Sequence, residues 1–360
     1  MEITKEKVLN ALSYVQDPDL KKDLVTLNMI KDVAIDGKKV SFTVVLTTPA
    51  CPMKDMIQNA CINAVKHYVD KEAVVTATMS SNVTGKKPKE ESTLRDVRNI
   101  IAVASGKGGV GKSTVAANLA LALARQGAKV GLVDADIYGP SQQIMFGVEN
   151  ESPGPAEFNG QKKMAPVESY GVKINSIGFL AAPGQAIALR GPMATKALSQ
   201  LFYDTVWGEL DYLIVDLPPG TGDIQISLCT QVPVTGAVIV CTPQEVAISD
   251  ARKGISLFQL PQTNIPVLGL VENMSWFTPS ELPENKYYIF GKDGVKNLAA
   301  ELNLPLLAQL PLVQSVREAS DAGRPAVLQE STPQALAFVS MAQNVAQQVA
   351  IANSRQLVEH

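Results

Sequence analysis

Cysteine and histidine are scarce in this sequence, with four of the first and two of the second among 360 residues. Cys51, Cys61, Cys229 and Cys241 form no CxxC pair and are too few and too scattered for a disulfide framework, so reduced thiols are expected. His67 and His360 cannot build a metal site in one chain without other ligands. An excess of charge of one sign is also missing. With 32 basic and 35 acidic residues the net charge is -3, which provides no broad field for holding nucleic acid or an anionic membrane. The expected partners are therefore small molecules and proteins, with no nucleic acid and no membrane. The N-terminal stretch MEITKEKVLNALSYV lacks the apolar run of a signal peptide, and no later run reads as a membrane span, so a cytoplasmic protein is expected.

What the sequence does contain is a change of pattern near residue 98. Before it, Lys5 to Val15 has helical spacing, Val40 to Leu46 (VSFTVVL) is strand-like, and Met53 to Tyr68 carries an apolar helical face. This predicts a small α/β domain over 1–81. The following NVTGKKPKEESTLRDVRN can bury little apolar surface and reads as a linker over 82–98. From 99 to 360 the runs IIAVAS, KVGLVDAD, DYLIVDLP, GAVIVCT, VLGLVENM and LLAQLPL are continuously apolar and alternate with helical stretches. Strands buried on both faces look like this, so the fold class is α/β with a mostly parallel sheet wrapped by helices. Pro333 to Arg355 reads as a closing helix that packs on the core.

The strand IIAVAS runs into GKGGVGKST and then into the helical VAANLALALARQG. Strand, glycine-rich loop and helix are the context a P-loop needs, and an ATP site with Mg2+ is expected over Gly106, Lys107, Gly108, Gly109, Val110, Gly111, Lys112, Ser113 and Thr114. Glycines let backbone amides face the phosphates, Lys112 neutralises β- and γ-phosphate oxygens, and the Ser113 hydroxyl reaches the metal. Lys107 resembles the second lysine in the deviant P-loop of septum-site, partition and nitrogenase iron-protein ATPases. In those proteins it reaches the partner subunit's nucleotide, so the resemblance implies a homodimer. Asp134 and Asp136 end one strand and Asp216 another, at the edge where open α/β sheets bind ligands. Asp136 is expected to orient the attacking water and Asp216 to hold Mg2+ through water, while Asp134 fits equally well as a turn or helix cap. Gly220 and Gly222 give the adjoining loop room to respond to the γ-phosphate.

The linked segments RGPMATKALSQLFYDTVWGELDYLIVDLPPGTGD, VIVCTPQEVAISDARKGI, VENMSWF and IFG resemble the Mrp/ApbC family of iron-sulfur cluster carrier ATPases, from about Ile100 to Pro325. DPDLKKDLVTLNMI and TTPACPMKD look like the small domain that accompanies many of these carriers. The resemblance implies an ATP hydrolase that delivers iron-sulfur clusters to apo-proteins, with cluster-assembly proteins as further partners. It also implies that Asn273 recognises adenine.

One departure stands out. Family members usually carry a CxxC shortly after the ENMS motif, where a dimer can hold a [4Fe-4S] cluster. Here the stretch is WFTPSELPENKYYIFG, without cysteine. Pro52 fits the first position of a helix, which makes Cys51 the expected N-cap and a possible thiolate for an Fe-S or other thiol site. Cys61, Cys229 and Cys241 read as packing residues. The aromatics Trp276, Phe277, Tyr287, Tyr288 and Phe290 stand where the CxxC would be and are expected to shape a dimer edge. Three other activities fit parts of the pattern: an ATP-switched dimeric scaffold without a cluster, a partitioning or positioning ATPase, and a kinase or metabolic ligase. The second needs a basic patch or amphipathic anchor that the sequence lacks. The last fits the P-loop but not the linked segments.

Overall fold

The structure is a computed structural model that describes residues 3–85, 91–180, 191–279 and 281–358. It divides into two compact units, Met1–Thr84 with Asn353–His360, and Gly85–Ala352.

In the small unit the order is α1 (Lys5–Leu12), β1 (Ile30–Asp36), β2 (Lys39–Leu46), α2 (Lys54–Tyr68) and β3 (Val74–Ser81). Thr4 caps α1 by accepting from the Lys7 amide. β2 alternates buried and more exposed residues, so Val40, Phe42, Val44 and Leu46 face one core. It pairs antiparallel with β1 and parallel with β3. Of the apolar face expected on α2, Ile57, Cys61, Ala64 and Val65 are buried, while Met56 and Tyr68 are exposed. The Tyr68 ring instead stacks on Tyr14, centroids 4.6 Å apart.

The large unit begins with β4 (Val97–Ala104), α3 (Lys112–Arg125), β5 (Val130–Asp134) and α4 (Gln142–Met145). A hairpin of β6 (Gly154–Phe158) and β7 (Gln161–Ala165) follows, then β8 (Val167–Ser169), β9 (Val172–Ser176) and α5 (Gly191–Tyr203). The rest is β10 (Leu210–Asp216), α6 (Asp223–Gln231), β11 (Gly236–Cys241), α7 (Glu245–Phe258), β12 (Val267–Glu272), α8 (Gly294–Glu301), β13 (Leu306–Gln309), α9 (Gln314–Asp321) and α10 (Pro333–Val358). The main sheet has eight strands in the order β13-β12-β11-β4-β10-β5-β9-β8. All its pairings are parallel except β8 with β9. β4 lies between β10 and β11, and β5, β10 and β11 are buried along their length or nearly so, as their unbroken apolar sequences require. The C-terminal ends of β4, β5, β10 and β12 thus share one edge of the sheet.

Three differences from the sequence reading have physical causes. The stretch expected as a linker over 82–98 is not uniformly exposed: Val83, Leu94 and Val97 are buried, and β4 starts at Val97. These isolated apolar anchors are invisible to a composition average. Residues 86–90 of that stretch, Arg190 and His360 lie outside the described residues. Next, the end of the closing helix groups with the small unit, where Asn353 donates to the Thr84 carbonyl at 2.7 Å. Finally, the Pro333–Arg355 part of α10, which spans 23 residues, is long and apolar enough to cross a membrane by length and composition alone, with an 18-residue window of mean hydropathy 1.2. The sequence reading had found no such run. Phe338, Met341, Ala342, Val345, Ala346 and Val349 bury one helical face, and Asn344 donates to the Leu307 carbonyl of β13 at 2.8 Å.

Candidate nucleotide site

The loop between β4 and α3 turns tightly because Gly109 and Gly111 adopt left-handed φ values of 80° and 81°. Val110 between them is buried and anchors the turn. Gly106 is needed for another reason. A Cβ there would stand 2.2 Å from the Asp250 carbonyl carbon and 2.6 Å from the Ala251 nitrogen, so α7 packs directly on the loop's backbone. The Ser105 hydroxyl donates to the Lys107 carbonyl at 2.9 Å and shapes the entry. α3 then starts at Lys112, and its first-turn amides have no partner within the helix, which leaves them for a phosphate chain.

Lys112, Asp136 and Asp216 come together as the sequence suggests. In this structure they hold one another. Lys112 Nζ lies 2.5 Å from Asp216 Oδ1 and 3.6 Å from Asp136 Oδ2, with side-chain exposures of 5% for the lysine and 0% for Asp216. A buried cation and carboxylate in this arrangement each satisfy a charge that burial alone would penalise. Burial raises the Asp136 carboxyl above its ordinary value, opposed mainly by Lys112. Ser113 is half-buried beside them, and Thr114 accepts from Asn118 through its carbonyl at 2.8 Å.

Asp134 takes the capping role. Its Oδ2 accepts from the Ser141 and Gln142 amides at 2.9 and 3.0 Å and from the Ser176 hydroxyl at 3.1 Å. It is fully buried, and that burial, reinforced by the Asp216 carboxylate, pushes its carboxyl up to about 7. Asp134 therefore fixes the loop that carries Asp136. The loop after β10 is tied down as well: the Gly220 amide donates to the Ser105 carbonyl at 3.0 Å, and Gly220 has φ 93°.

Asn273 lies against the P-loop. Its Nδ2 donates to the Val110 carbonyl at 2.8 Å, and a Cβ on Gly111 would meet that nitrogen at 2.2 Å. Lys107 is half-exposed at the front of the loop, without an ion-pair partner among the described residues. Sequence reasoning missed Gln142, whose amide bridges the Ser113 carbonyl at 3.0 Å and Asp216 Oδ2 at 2.8 Å. Only its position eight residues after Asp134 hinted at it, and that is no motif.

The cysteines depart from expectation at one point. α2 is capped by Met53, so Cys51 lies outside the helix and is not its N-cap. Burial is the main influence on its thiol and raises it, contrary to the thiolate expected from a helix N-terminus. Cys51 is nevertheless the one half-buried cysteine, whereas Cys61, Cys229 and Cys241 are buried, with thiols pushed up to about 12. Among the described residues no group of three or more His, Cys, Asp or Glu could hold a metal ion. In the aromatic stretch, Phe277 and Tyr287 exchange backbone hydrogen bonds of 2.8 and 2.9 Å, and Lys286 covers Trp276 at 4.0 Å from the ring centroid.

The chain is similar to known proteins over nearly its whole length. Residues 96–349 match the family model described as NUBPL iron-transfer P-loop NTPase, and residues 5–79 match that described as iron-sulfur cluster assembly protein. An iron-sulfur cluster carrier protein of Synechocystis sp. is 47% identical, covering 97% of this chain and 99% of its own. One from Escherichia coli strain K12 is 43% identical, covering 91% and 87%. Among solved structures, a nucleotide-binding protein of Archaeoglobus fulgidus in complex with ADP is 37% identical, with TM-score 0.57 over 67% of this chain and 92% of that one. The Pyrococcus furiosus cell division ATPase MinD, 24% identical with TM-score 0.50 over 69% and 98%, shares the fold.

Proposed function

Because the chain belongs to the family of NUBPL-type iron-transfer P-loop NTPases, and carries an iron-sulfur cluster assembly domain ahead of it, we propose that it binds and hydrolyses MgATP and carries iron-sulfur clusters to apo-proteins. The observation that carries the ATP half is the buried triad of Lys112, Asp136 and Asp216 at the mouth of the P-loop. It is a resting arrangement in which the cation that phosphates need is held by carboxylates.

On this reading the β- and γ-phosphates draw Lys112 away from Asp216. That frees the Asp216 carboxylate to hold a water of the substrate's magnesium ion, beside the Ser113 hydroxyl. Asp136 orients the attacking water, and its raised carboxyl suits it to accept a proton. The Asn273 amide keeps one hydrogen on the Val110 carbonyl and offers its oxygen to the 6-amino group of adenine, where guanine carries a carbonyl oxygen. Lys107 reaches the nucleotide of a second copy, so the active form is a homodimer. The aromatic stretch around Trp276 shapes its edge.

The cluster is cargo. With no CxxC after the ENMS motif and three of four thiols deeply buried, Cys51 is the thiol available to it, and cluster-assembly proteins and apo-proteins are the donors and recipients. A [4Fe-4S] cluster is the type the family resemblance implies. The setting proposed is the cytoplasm, which cell fractionation tests.

Phosphate release tests the ATP half. The natural protein is expected to release phosphate from ATP and to discriminate against GTP, Lys112→Ala to stop release, and Asn273→Ala to narrow the preference. Release that survives Lys112→Ala would remove the assignment.

A further inference from the structure

One buried group in the nucleotide site has no part in the reading above. Gln142, the first residue of α4, has 0% exposure and stands on the loop that carries Asp136. Its Nε2 donates to the Ser113 carbonyl at 3.0 Å and to Asp216 Oδ2 at 2.8 Å. Both partners only accept, so the amide orientation is fixed with its NH2 group toward them. Oε1 is then turned away from them, buried and without a donor. A buried carbonyl oxygen in that state is costly, and such groups in native proteins usually have a function.

The partners of the amide identify that function. Ser113 and Asp216 are the two side chains assigned to the metal ion, and Gln142 touches both residues. Asp216 is shared: Lys112 holds Oδ1 and Gln142 holds Oδ2. When Lys112 moves to the phosphates, Gln142 is the partner among the described residues that still fixes the carboxylate plane. Mg2+ keeps several waters when it binds. The amide keeps this orientation although it leaves Oε1 without a donor, which marks the NH2 contact with Asp216 as the one the site uses.

We propose that Gln142 is a positioning residue for the metal ion of MgATP, its NH2 group orienting the Asp216 carboxylate once Lys112 has moved to the phosphates. The inference rests on the ATP reading. Its backbone amide is bonded to Asp134 Oδ2 at 3.0 Å, so arrival of the metal is felt on the loop that carries Asp136. Partners of this kind set metal affinity by orienting the ligands and waters that touch the ion.

Calorimetric ATP affinity of the full chain, measured with Mg2+ and with EDTA, tests it through the ratio of the two dissociation constants. Gln142→Met keeps the approximate shape of the side chain without the NH2 donor. It is expected to reduce the ratio about tenfold while leaving EDTA affinity within about twofold. Gln142→Leu, which also lacks the donor, is expected to reduce the ratio by a similar factor. An unchanged ratio in Gln142→Met overturns the proposal, as does an equal loss of affinity with and without Mg2+, which marks a purely structural role. If Gln142→Met does not fold, Gln142→Leu decides alone, and an unchanged ratio in it overturns the proposal. Absence of ATP binding by the natural protein would remove the nucleotide reading itself, whereas failure confined to the variants removes only the role of Gln142.

Discussion

Lys112 and Asp216 form an ion pair that is almost wholly out of solvent, Nζ to Oδ1 2.5 Å, between the first residue of α3 and the last of β10. Such a pair is weak evidence for stability, but removal of one partner leaves a buried charge uncompensated, at a cost of about 3–5 kcal/mol. Lys112→Met is therefore expected to lower the melting temperature of the nucleotide-free protein by several degrees, and a second change, Asp216→Asn, to restore most of the loss. Thermal melts of the two singles and the double form the cycle. Additive effects would contradict the pairing.

Asp134 makes stability depend on pH in an unusual direction. Its carboxyl is raised in the folded protein, to about 7, so the folded state holds the proton more tightly than the unfolded state does. The sign follows: its contribution is full below the unfolded value near 4, declines as pH rises and is gone above about 7. Between about pH 4 and pH 7 the melting temperature of the nucleotide-free natural protein should fall more steeply than that of Asp134→Asn, which stays neutral throughout. Parallel curves would show that Asp134 is not the group responsible.

Two glycines of the same loop should respond in opposite ways. Gly106→Ala forces a methyl into the backbone of α7, with contacts as short as 2.2 Å, and is expected to cost about 1–3 kcal/mol or more and abolish nucleotide binding. A Cβ on Gly108 meets nothing closer than the Pro219 side chain at 3.9 Å, so Gly108→Ala should fold with near-natural stability. Chemical denaturation of the two variants checks the contrast, and equal stabilities would contradict it.

The proposed homodimer depends on Lys107. Lys107→Gln should leave monomer stability unchanged while reducing ATP-dependent dimerisation and hydrolysis together, and Trp276→Ala should weaken dimerisation at the edge. Sedimentation with and without ATP checks both. Full assembly and hydrolysis in Lys107→Gln would end that reading.

The parts of this site that could be read in the sequence are those with local signals. GKGGVGKST carries its chemistry in nine consecutive residues, and continuous apolar runs ending in Asp134 and Asp216 mark buried parallel strands before any contact is known. What escaped depends on partners far along the chain. Gln142 meets Ser113 and Asp216 from a four-residue helix with no periodicity, Gly106 is dictated by the approach of Asp250, and Asn353 meets Thr84 across a separation of 269 residues. Cys51 shows a different limit. Pro52 suggested a helix start there, but α2 begins at Lys54, and the two-residue displacement takes the thiol out of the cap and leaves burial as its main influence.

Anaerobic reconstitution with iron and sulfide, reading absorbance and iron per chain for the natural protein and Cys51→Ser, tests the central claim most directly. The account predicts a cluster on the natural protein that is lost in Cys51→Ser and passes to an apo-protein. A natural protein that takes up no cluster, while still dimerising with ATP, would contradict it and leave an ATP-switched scaffold.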